Sequence, residues 1–209
     1  ENAINQFSQF SAEIDGLKIH FIHERGSGPR PLPLVITHGW PGSFVEMLKI
    51  IPLLADPAAH GASAEESFDV IVPSMPGYGF SSSSQPGMNA FRIAELWLKL
   101  MKGLGYSHFG AQGGDWGASV GTGLGLTYPE NLIGLHLNYI PGSFKPFLGS
   151  GTRGLSETET SFLQAQASWL QAEGGYGHLQ ATKPQSAAFG LNDSPAGLAA
   201  WIIEKFRDW

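Results

Sequence analysis

Four short apolar runs alternate with helical segments in the first 140 residues, and this order constrains the fold more than any other feature. The runs cover residues 34–37, 68–73, 108–113 and 132–140. Between them lie segments whose apolar residues recur at helical spacing, which is typical of buried strands joined by helices. Strands and helices in this order form a mainly parallel sheet with helices on both faces. We therefore predict an α/β fold that binds its ligand at the carboxyl ends of the strands.

An acidic residue lies between glycines where the third of these strands should give way to a helix. Residues 111–118 read Ala-Gln-Gly-Gly-Asp-Trp-Gly-Ala, so Asp115 stands in a Gly-x-Asp-x-Gly pattern. The pattern resembles the Gly-x-Ser-x-Gly nucleophile elbow of α/β-hydrolases, where small residues allow the backbone to cross closely around an exposed nucleophile. Here the nucleophile would be a carboxylate. These residues by themselves equally allow a glycine-rich turn in which Asp115 caps the next helix.

A His-Gly-Trp-Pro turn follows the first of the four strands and favours the elbow. In α/β-hydrolases the loop at this place supplies one backbone N–H of the oxyanion hole, and the residue after the nucleophile supplies the other. On that template the donors are the amides of Trp40 and Trp116. For His38, at the strand end, stabilising the turn is favoured over acting as a catalytic base. The sequence does not decide whether the bond before Pro41 is cis or trans.

Composition excludes several classes of function. The 209 residues include 12 basic and 18 acidic side chains, and the net charge of -6 disfavours nucleic acid as a partner. Cysteine is absent, which excludes disulfides and thiolate metal sites, and we predict neither a metal nor an organic cofactor. No apolar run approaches the ~20 residues of a membrane helix. Because the chain starts at Glu1, an upstream anchor stays open, and without one a cytoplasmic protein is expected. A homodimer stays open as well.

Turn and capping residues predict the remaining elements. Alternating polarity over residues 13–24 around an Asp-Gly turn predicts a hairpin whose His20 and His23 are solvated. Capping residues predict helices over residues 44–54, after Ser43, and over residues 90–102, which Gly103 ends.

The carboxy-terminal third is predicted to be helical. Ser156 and Glu159 form a capping box for a helix to about residue 171. Pro195 is the first residue of a last helix with an apolar face that we expect to be buried, formed by Leu198, Ile202, Ile203 and Phe206. We predict two parts: a core over residues 1–140, and a linker with a truncated helical lid over residues 141–209, of which residues 142–154 are the linker proper.

Five motifs together resemble the microsomal-type epoxide hydrolases, a branch of the α/β-hydrolases that includes the insect juvenile hormone enzymes. They lie at residues 38–43, 75–81, 113–117, 182–185 and 192–201, so the resemblance spans essentially the whole chain. It implies an α/β-hydrolase core with a mostly parallel sheet and a helical lid. It also implies that Asp115 is the nucleophile and that Trp40 and Trp116 form the oxyanion hole.

The same resemblance bears on Tyr176 and on what this chain lacks. Tyr176 matches the first of two lid tyrosines that hold the epoxide oxygen, although an aromatic residue packed between lid helices is the alternative. Proteins of the family are longer at both ends. The resemblance therefore implies that the last core strands, the second tyrosine, the catalytic histidine and its acidic partner lie beyond Trp209, and that a fragment ending there is inactive by itself.

These residue types suit the addition of water to a hydrophobic epoxide. An aspartate is ionised at pH 7 and attacks a saturated carbon without a base, while a tyrosine hydroxyl holds the leaving oxygen. The ester left on Asp115 is then hydrolysed with two amides and a histidine base. Two alternatives remain. One is a haloalkane dehalogenase, although the site loop of that family is typically His-Gly-Asn-Pro rather than the His-Gly-Trp-Pro found here. The other is a non-catalytic ligand-binding protein of the same fold.

Overall fold

Six strands form a single sheet in the first part of the chain. The computed structural model describes residues 1–140, 146, 148, 149 and 154–209. The strands are β1 (Gln9–Ile14), β2 (Leu17–Glu24), β3 (Leu32–Thr37), β4 (Phe68–Pro73), β5 (Phe109–Gly113) and β6 (Leu132–Leu137), and they lie in the order β1-β2-β4-β3-β5-β6. β1, β2 and β4 pair antiparallel, whereas β4, β3, β5 and β6 pair parallel. The predicted α/β core with a mostly parallel sheet is confirmed.

Helices cover both faces of this sheet and create two apolar cores. On one face, α2 (Ala90–Gly103) and α3 (Trp116–Thr127) pack against side chains that include Val35, Ile71 and Phe109. On the other face, α1 (Ile51–Ala55) and the 3₁₀ segment Phe44–Met47 pack against the alternate strand residues, among them Ile36 and Val72. Because successive strand residues point to opposite faces, one run of apolar residues supplies both cores.

The amino-terminal hairpin forms as predicted, but its histidines are buried. Asp15 and Gly16 make the turn with φ values of 50° and 73°. The prediction that His20 and His23 are solvated is wrong, since they are only 5% and 9% exposed. β2 lies between β1 and β4, so both of its edges are paired, and aromatic rings cover its faces at the two histidines: Phe44 and Phe80 pack against His20, and Phe10 and Tyr106 against His23. Each ring has a partner: His20 contacts the Ser74 hydroxyl at 2.9 Å, and His23 contacts the Tyr106 hydroxyl at 3.1 Å.

The helix predicted over residues 44–54 is broken into two pieces. Ser43 does cap the first piece, because its hydroxyl accepts the Val45 N–H at 3.3 Å. The 3₁₀ segment ends at Met47, and α1 starts only at Ile51. Pro52 explains the break, since it has no N–H to donate to the preceding turn and is tolerated only at the start of a helix.

The helix α2 begins as predicted and ends one residue late. Its Asn89 side chain accepts the Arg92 N–H at 3.0 Å. Gly103 was expected to end the helix, but it is still helical, and Gly105 adopts the left-handed φ of 92° just beyond the end. In mid-helix the fully buried Trp97 donates its indole N–H to the Thr37 hydroxyl at 3.0 Å, so α2 is tied to the end of β3.

A second compact unit begins after residue 143 and is helical where it is described. Its helices are α4 (Glu157–Thr182), α5 (Pro184–Asp193) and α6 (Pro195–Asp208). The predicted capping box is present, with Ser156 and Glu159 satisfying each other's backbone N–H groups. However, α4 continues past the predicted residue 171 and ends at Thr182, because the following Lys183 precedes a proline and leaves the helical conformation.

The last helix also starts as predicted, with Ser194 accepting the Gly197 N–H at 3.0 Å and Pro195 in the first helical position. Its apolar face is not buried, contrary to the prediction: Phe206 is 85% exposed and Ile203 is 63% exposed. Most of the predicted linker over residues 142–154 lies outside the described residues. Among the helices that are described, none has the length and apolarity needed to span a membrane.

Candidate active site

Strand register brings the two predicted site loops to one edge of the sheet. β3 and β5 are parallel neighbours, and Thr37 at the end of β3 is paired with Gly113 at the end of β5. The loop that follows β3 and the turn that follows β5 therefore begin side by side. This is the edge of a parallel sheet where ligands bind.

Asp115 has the backbone of a nucleophile elbow. Its φ and ψ are 51° and -123°, a region that residues with a Cβ rarely adopt and that costs about 1–3 kcal/mol. Asp115 precedes α3, yet its side chain makes no capping hydrogen bond to that helix. The alternative in which Asp115 serves as a helix cap is therefore wrong. Instead the carboxylate stands exposed at the end of β5.

Three glycines allow this geometry because no Cβ would fit. A Cβ on Gly113 would lie 2.1 Å from the Gly117 carbonyl oxygen, and one on Gly117 would lie 2.1 Å from the Thr37 carbonyl oxygen. A Cβ on Gly39 would lie 2.8 Å from Oδ1 of Asp115. The glycines thus let the strand, the turn and the neighbouring loop come into contact around the carboxylate.

The Trp40 amide points at the Asp115 carboxylate. Its N–H donates to Oδ1 at 2.8 Å, and the Trp40–Pro41 peptide bond is cis. The Trp116 amide belongs to the first residue of α3, where a backbone N–H has no acceptor within the helix. The structure thus brings the Trp40 amide into contact with Asp115. The Trp116 amide belongs to the residue that directly follows Asp115.

His38 holds two loops together and is not free to act as a base. It is fully buried. Its Nε2 accepts the Met75 N–H at 3.2 Å, so the proton is on Nδ1, which donates to the Gly39 carbonyl at 2.9 Å. Both ring nitrogens are therefore used, as expected for a histidine that stabilises the turn.

Stability is expected to fall as the pH drops below about 6.5, the usual histidine pKa in an unfolded chain. Burial lowers the pKa of His38 in the folded state, so acid protonates the unfolded chain first and favours it. Each such histidine contributes a slope of up to about 1.4 kcal/mol per pH unit. Burial also lowers the pKa values of His20 and His23.

Urea denaturation between pH 5 and about 8 measures this slope. His38→Gln should reduce it by about one proton, whereas His60→Gln at an exposed site should leave it unchanged. If the slope of His38→Gln equals that of the unsubstituted protein, His38 is not a source of the acid sensitivity.

A cavity of about 300 Å³ opens beside the carboxylate. Trp40 and Asp115 line it, together with Glu46, Asn138 and Tyr139. The last three were not identified from the sequence. Glu46 had a signal that could have been used, because it is an acidic residue six positions after Trp40 in a segment that packs next to the site loop.

The negative charge of Asp115 acts on two neighbouring groups. Burial and then repulsion from Asp115 raise the pKa of Glu46, and the same two causes raise the pKa of Tyr78. The ring of Tyr78 also packs edge-on against His38, with centroids 5.1 Å apart. The charge of Asp115 thus makes ionisation of Glu46 and of Tyr78 less favourable.

Tyr176 lies in the second unit, within an aromatic cluster. Its ring is 5.5 Å from that of Trp201 and 5.4 Å from that of Trp209, measured between centroids. The Lys205 ammonium lies 5.4 Å from the centroid of the Tyr176 ring. Tyr176 therefore packs between helices.

Among the described residues, no group of three or more histidine, aspartate or glutamate side chains could hold a metal ion.

Two family models match the chain. One, described as "Epoxide hydrolase N terminus", covers residues 1–47, and the other, described as "alpha/beta hydrolase fold", covers residues 33–151. The chain is 50% identical to a putative epoxide hydrolase of Stigmatella aurantiaca, over 100% of the chain and 47% of that protein. It is 45% identical to epoxide hydrolase 1 of Oryctolagus cuniculus, over 99% of the chain and 49% of that protein. The chain thus spans about half the length of these relatives.

Solved structures give the same result. The juvenile hormone epoxide hydrolase of the silkworm Bombyx mori superposes with a TM-score of 0.73 at 37% identity, over 100% of this chain and 52% of that one. The Aspergillus niger epoxide hydrolase superposes with a TM-score of 0.69 at 33% identity, over 98% of this chain and 52% of that one. The resemblance to epoxide hydrolases that the motifs predicted is confirmed.

Proposed function

Because the chain belongs to the α/β-hydrolase fold family, we propose that the full-length protein converts hydrophobic epoxides to diols with Asp115 as its nucleophile. The observation that carries this proposal is the carboxylate of Asp115, exposed on a strained turn with its Oδ1 2.8 Å from the Trp40 N–H. The match of residues 1–47 to the epoxide hydrolase amino terminus supports the choice of substrate class.

In the first step, the Asp115 carboxylate attacks one epoxide carbon and the carbon–oxygen bond of the ring breaks. A carboxylate is ionised at neutral pH and needs no base for this attack. The oxygen that leaves gains negative charge and must be stabilised by a donor. Tyr176 is the proposed donor, as the resemblance implies, and residues 141–209 are proposed to form part of the cap that carries it.

In the second step, water attacks the carbonyl carbon of the ester on Asp115. The Trp40 amide already contacts Oδ1, so it would hold the oxyanion that develops there, with the Trp116 amide as the second donor. His38 cannot be the base because both of its ring nitrogens are bonded to backbone groups. The resemblance implies that the base is a histidine outside residues 1–209.

The hydrophobic character of the substrate is supported by the second unit. A cavity of about 420 Å³ there is lined mainly by apolar and aromatic side chains, including Trp201, Ile202 and Phe206. Such surfaces favour apolar ligands over charged ones.

Incubation of the full-length protein with styrene oxide tests the proposal. We expect phenylethanediol as product and, in a rapidly quenched sample, a peptide containing Asp115 whose mass is increased by one styrene oxide. A matched incubation with 1-chlorohexane should release no chloride, which separates the epoxide reaction from dehalogenation. Diol formation with an adduct on a different residue would contradict the assignment of Asp115, and neither diol nor adduct would favour a ligand-binding protein.

A further inference from the structure

A second carboxyl group faces the same cavity as Asp115 and has no role in the two steps above. Glu46 lies in the 3₁₀ segment Phe44–Met47, directly after the loop that carries Trp40. Its side chain and that of Asp115 both line the cavity of about 300 Å³. When two acidic groups lie beside one reacting centre, their different environments usually give them different chemical roles.

The backbone of the site loop determines where the Glu46 carboxyl lies. A Cβ on Gly42 would lie 1.8 Å from Oε1 and 2.7 Å from Oε2 of Glu46. The carboxyl group is thus folded against the Gly42 backbone, two residues after the Trp40 amide, and it occupies the space that a side chain at position 42 would fill. Even the single methyl group of an alanine at position 42 would therefore displace the carboxyl group.

The oxygens of Glu46 are available to water. Within the described part of the chain, no side chain or backbone N–H donates a hydrogen bond to them, whereas Oδ1 of Asp115 is occupied by the Trp40 amide. A carboxylate has about four acceptor positions, and those that face a cavity bind water. The cavity beside Asp115 therefore has an acceptor for water in addition to the amide that would hold the oxyanion.

We propose that Glu46 is a positioning residue that orients the water for hydrolysis of the ester on Asp115. This role rests on the proposed function. The water oxygen bonds to Cγ of the ester, and the bond breaks between Cγ and the Asp115 oxygen that attacked the epoxide, so that oxygen leaves on the substrate carbon. One proton of the water passes to the general base and from there to the departing oxygen, which completes the diol. Glu46 accepts a hydrogen bond from the other hydrogen of the water and is not consumed. That second proton then leaves the acid formed on Asp115 and replaces the proton that the epoxide oxygen received in the first step, so Asp115 is again a carboxylate.

The ionisation of Glu46 depends on whether Asp115 is a free carboxylate or an ester. Burial and repulsion from the ionised Asp115 raise the pKa of Glu46. Esterification removes the charge of Asp115, so Glu46 ionises more readily when a water must be held. Among the other titratable groups, Tyr139 lines the same cavity as Glu46 and His136 lines the adjoining groove, while Tyr78 is a neighbour of Asp115, which with burial raises its pKa.

Single-turnover kinetics of Glu46→Gln with styrene oxide test the role in the full-length protein. Formation of the Asp115 adduct, followed by intact mass, should stay within about threefold, because Glu46 does not take part in the attack. Decay of the adduct should slow by about 100-fold, the typical effect of losing the correct position of a reacting group. The adduct should accumulate in the steady state, and kcat should fall with it.

Two further variants sharpen the test. Gly42→Ala keeps the carboxyl group but displaces it, and it should also slow decay of the adduct more than its formation. Glu65→Gln, at an exposed acidic residue of another 3₁₀ segment, should change neither step. In the unsubstituted protein the decay rate should rise with pH through an ionisation that is missing in Glu46→Gln, a difference that a purely structural role would not produce.

Equal decay rates in Glu46→Gln and the unsubstituted protein would overturn the role of Glu46 while leaving Asp115 as the nucleophile. Equal slowing of formation and decay, with an unchanged pH profile, would also overturn it and would indicate a structural residue. If the unsubstituted protein forms no adduct, the proposed function itself is wrong and the role of Glu46 falls with it.

Discussion

Replacing Asp115 with alanine in the full-length protein is expected to reduce diol formation by about 10,000-fold or more, the scale on which loss of a covalent nucleophile acts. The expectation follows from geometry: Asp115 presents a carboxylate from a strained turn and contacts the Trp40 amide at 2.8 Å. Without the carboxylate no ester can form, so water would have to attack the epoxide directly. Diol formation from styrene oxide, followed by chromatography, measures the loss.

Asp193→Ala is the matched control, because Asp193 is an exposed aspartate at the end of α5. It should leave the rate unchanged. Circular dichroism should show that Asp115→Ala is folded, since the substitution removes one surface carboxylate and adds no atoms. Turnover that survives in folded Asp115→Ala would rule out the covalent route.

Replacing Gly117 with alanine is expected to destabilise the first unit by about 3 kcal/mol or more, a cost at the upper end for an overpacked site. The new Cβ would lie 2.1 Å from the Thr37 carbonyl oxygen and 2.9 Å from that of His38. Both obstacles are backbone atoms of the neighbouring strand end, so no side chain can rotate away. Because alanine is otherwise the better helix former, the sign of the effect is set by this contact alone. Urea denaturation measures the change.

Gly134→Ala in β6 is the control for this experiment. No atom lies within 4 Å of a Cβ built at that position, and stability should change by less than about 1 kcal/mol. Similar midpoints for Gly117→Ala and the unsubstituted protein would mean that α3 and β3 do not approach each other as closely as the structure indicates.

The elbow could be predicted from the sequence because its requirements are local. Gly113 and Gly117 stand two residues on either side of Asp115, and the approach of Gly113 to the Gly117 carbonyl lies within this short pattern, whereas the contact of Gly117 with the distant Thr37 depends on the fold. The caps at Asn89 and Ser194 were predictable for the same reason, since a capping side chain bonds to an N–H only three residues away.

Errors arose where the answer depends on distant parts of the chain. His20 and His23 have the alternating pattern of a half-exposed strand, but side chains from distant parts of the chain cover them, among them Phe44 on His20 and Tyr106 on His23. The residues after Ser43 have the apolar spacing of one continuous helix, but Pro52 interrupts it, and α1 starts only at Ile51. Glu46 was missed because its position six residues after Trp40 is the only local signal, and the cavity that it shares with Asp115 is formed by the fold.

By itself the sequence determined the order of strands and helices, the identity of the acidic residue on the turn and the family resemblance, because each depends on residue types at short, regular spacing. Only the tertiary structure decided that Thr37 pairs with Gly113, that the Trp40 amide meets the Asp115 carboxylate, and that His38 is fully occupied by Met75 and Gly39. The physical reason is that a site at a sheet edge is assembled from loops of different strands. Their contacts are set by strand pairing and packing across the fold, which no local pattern records.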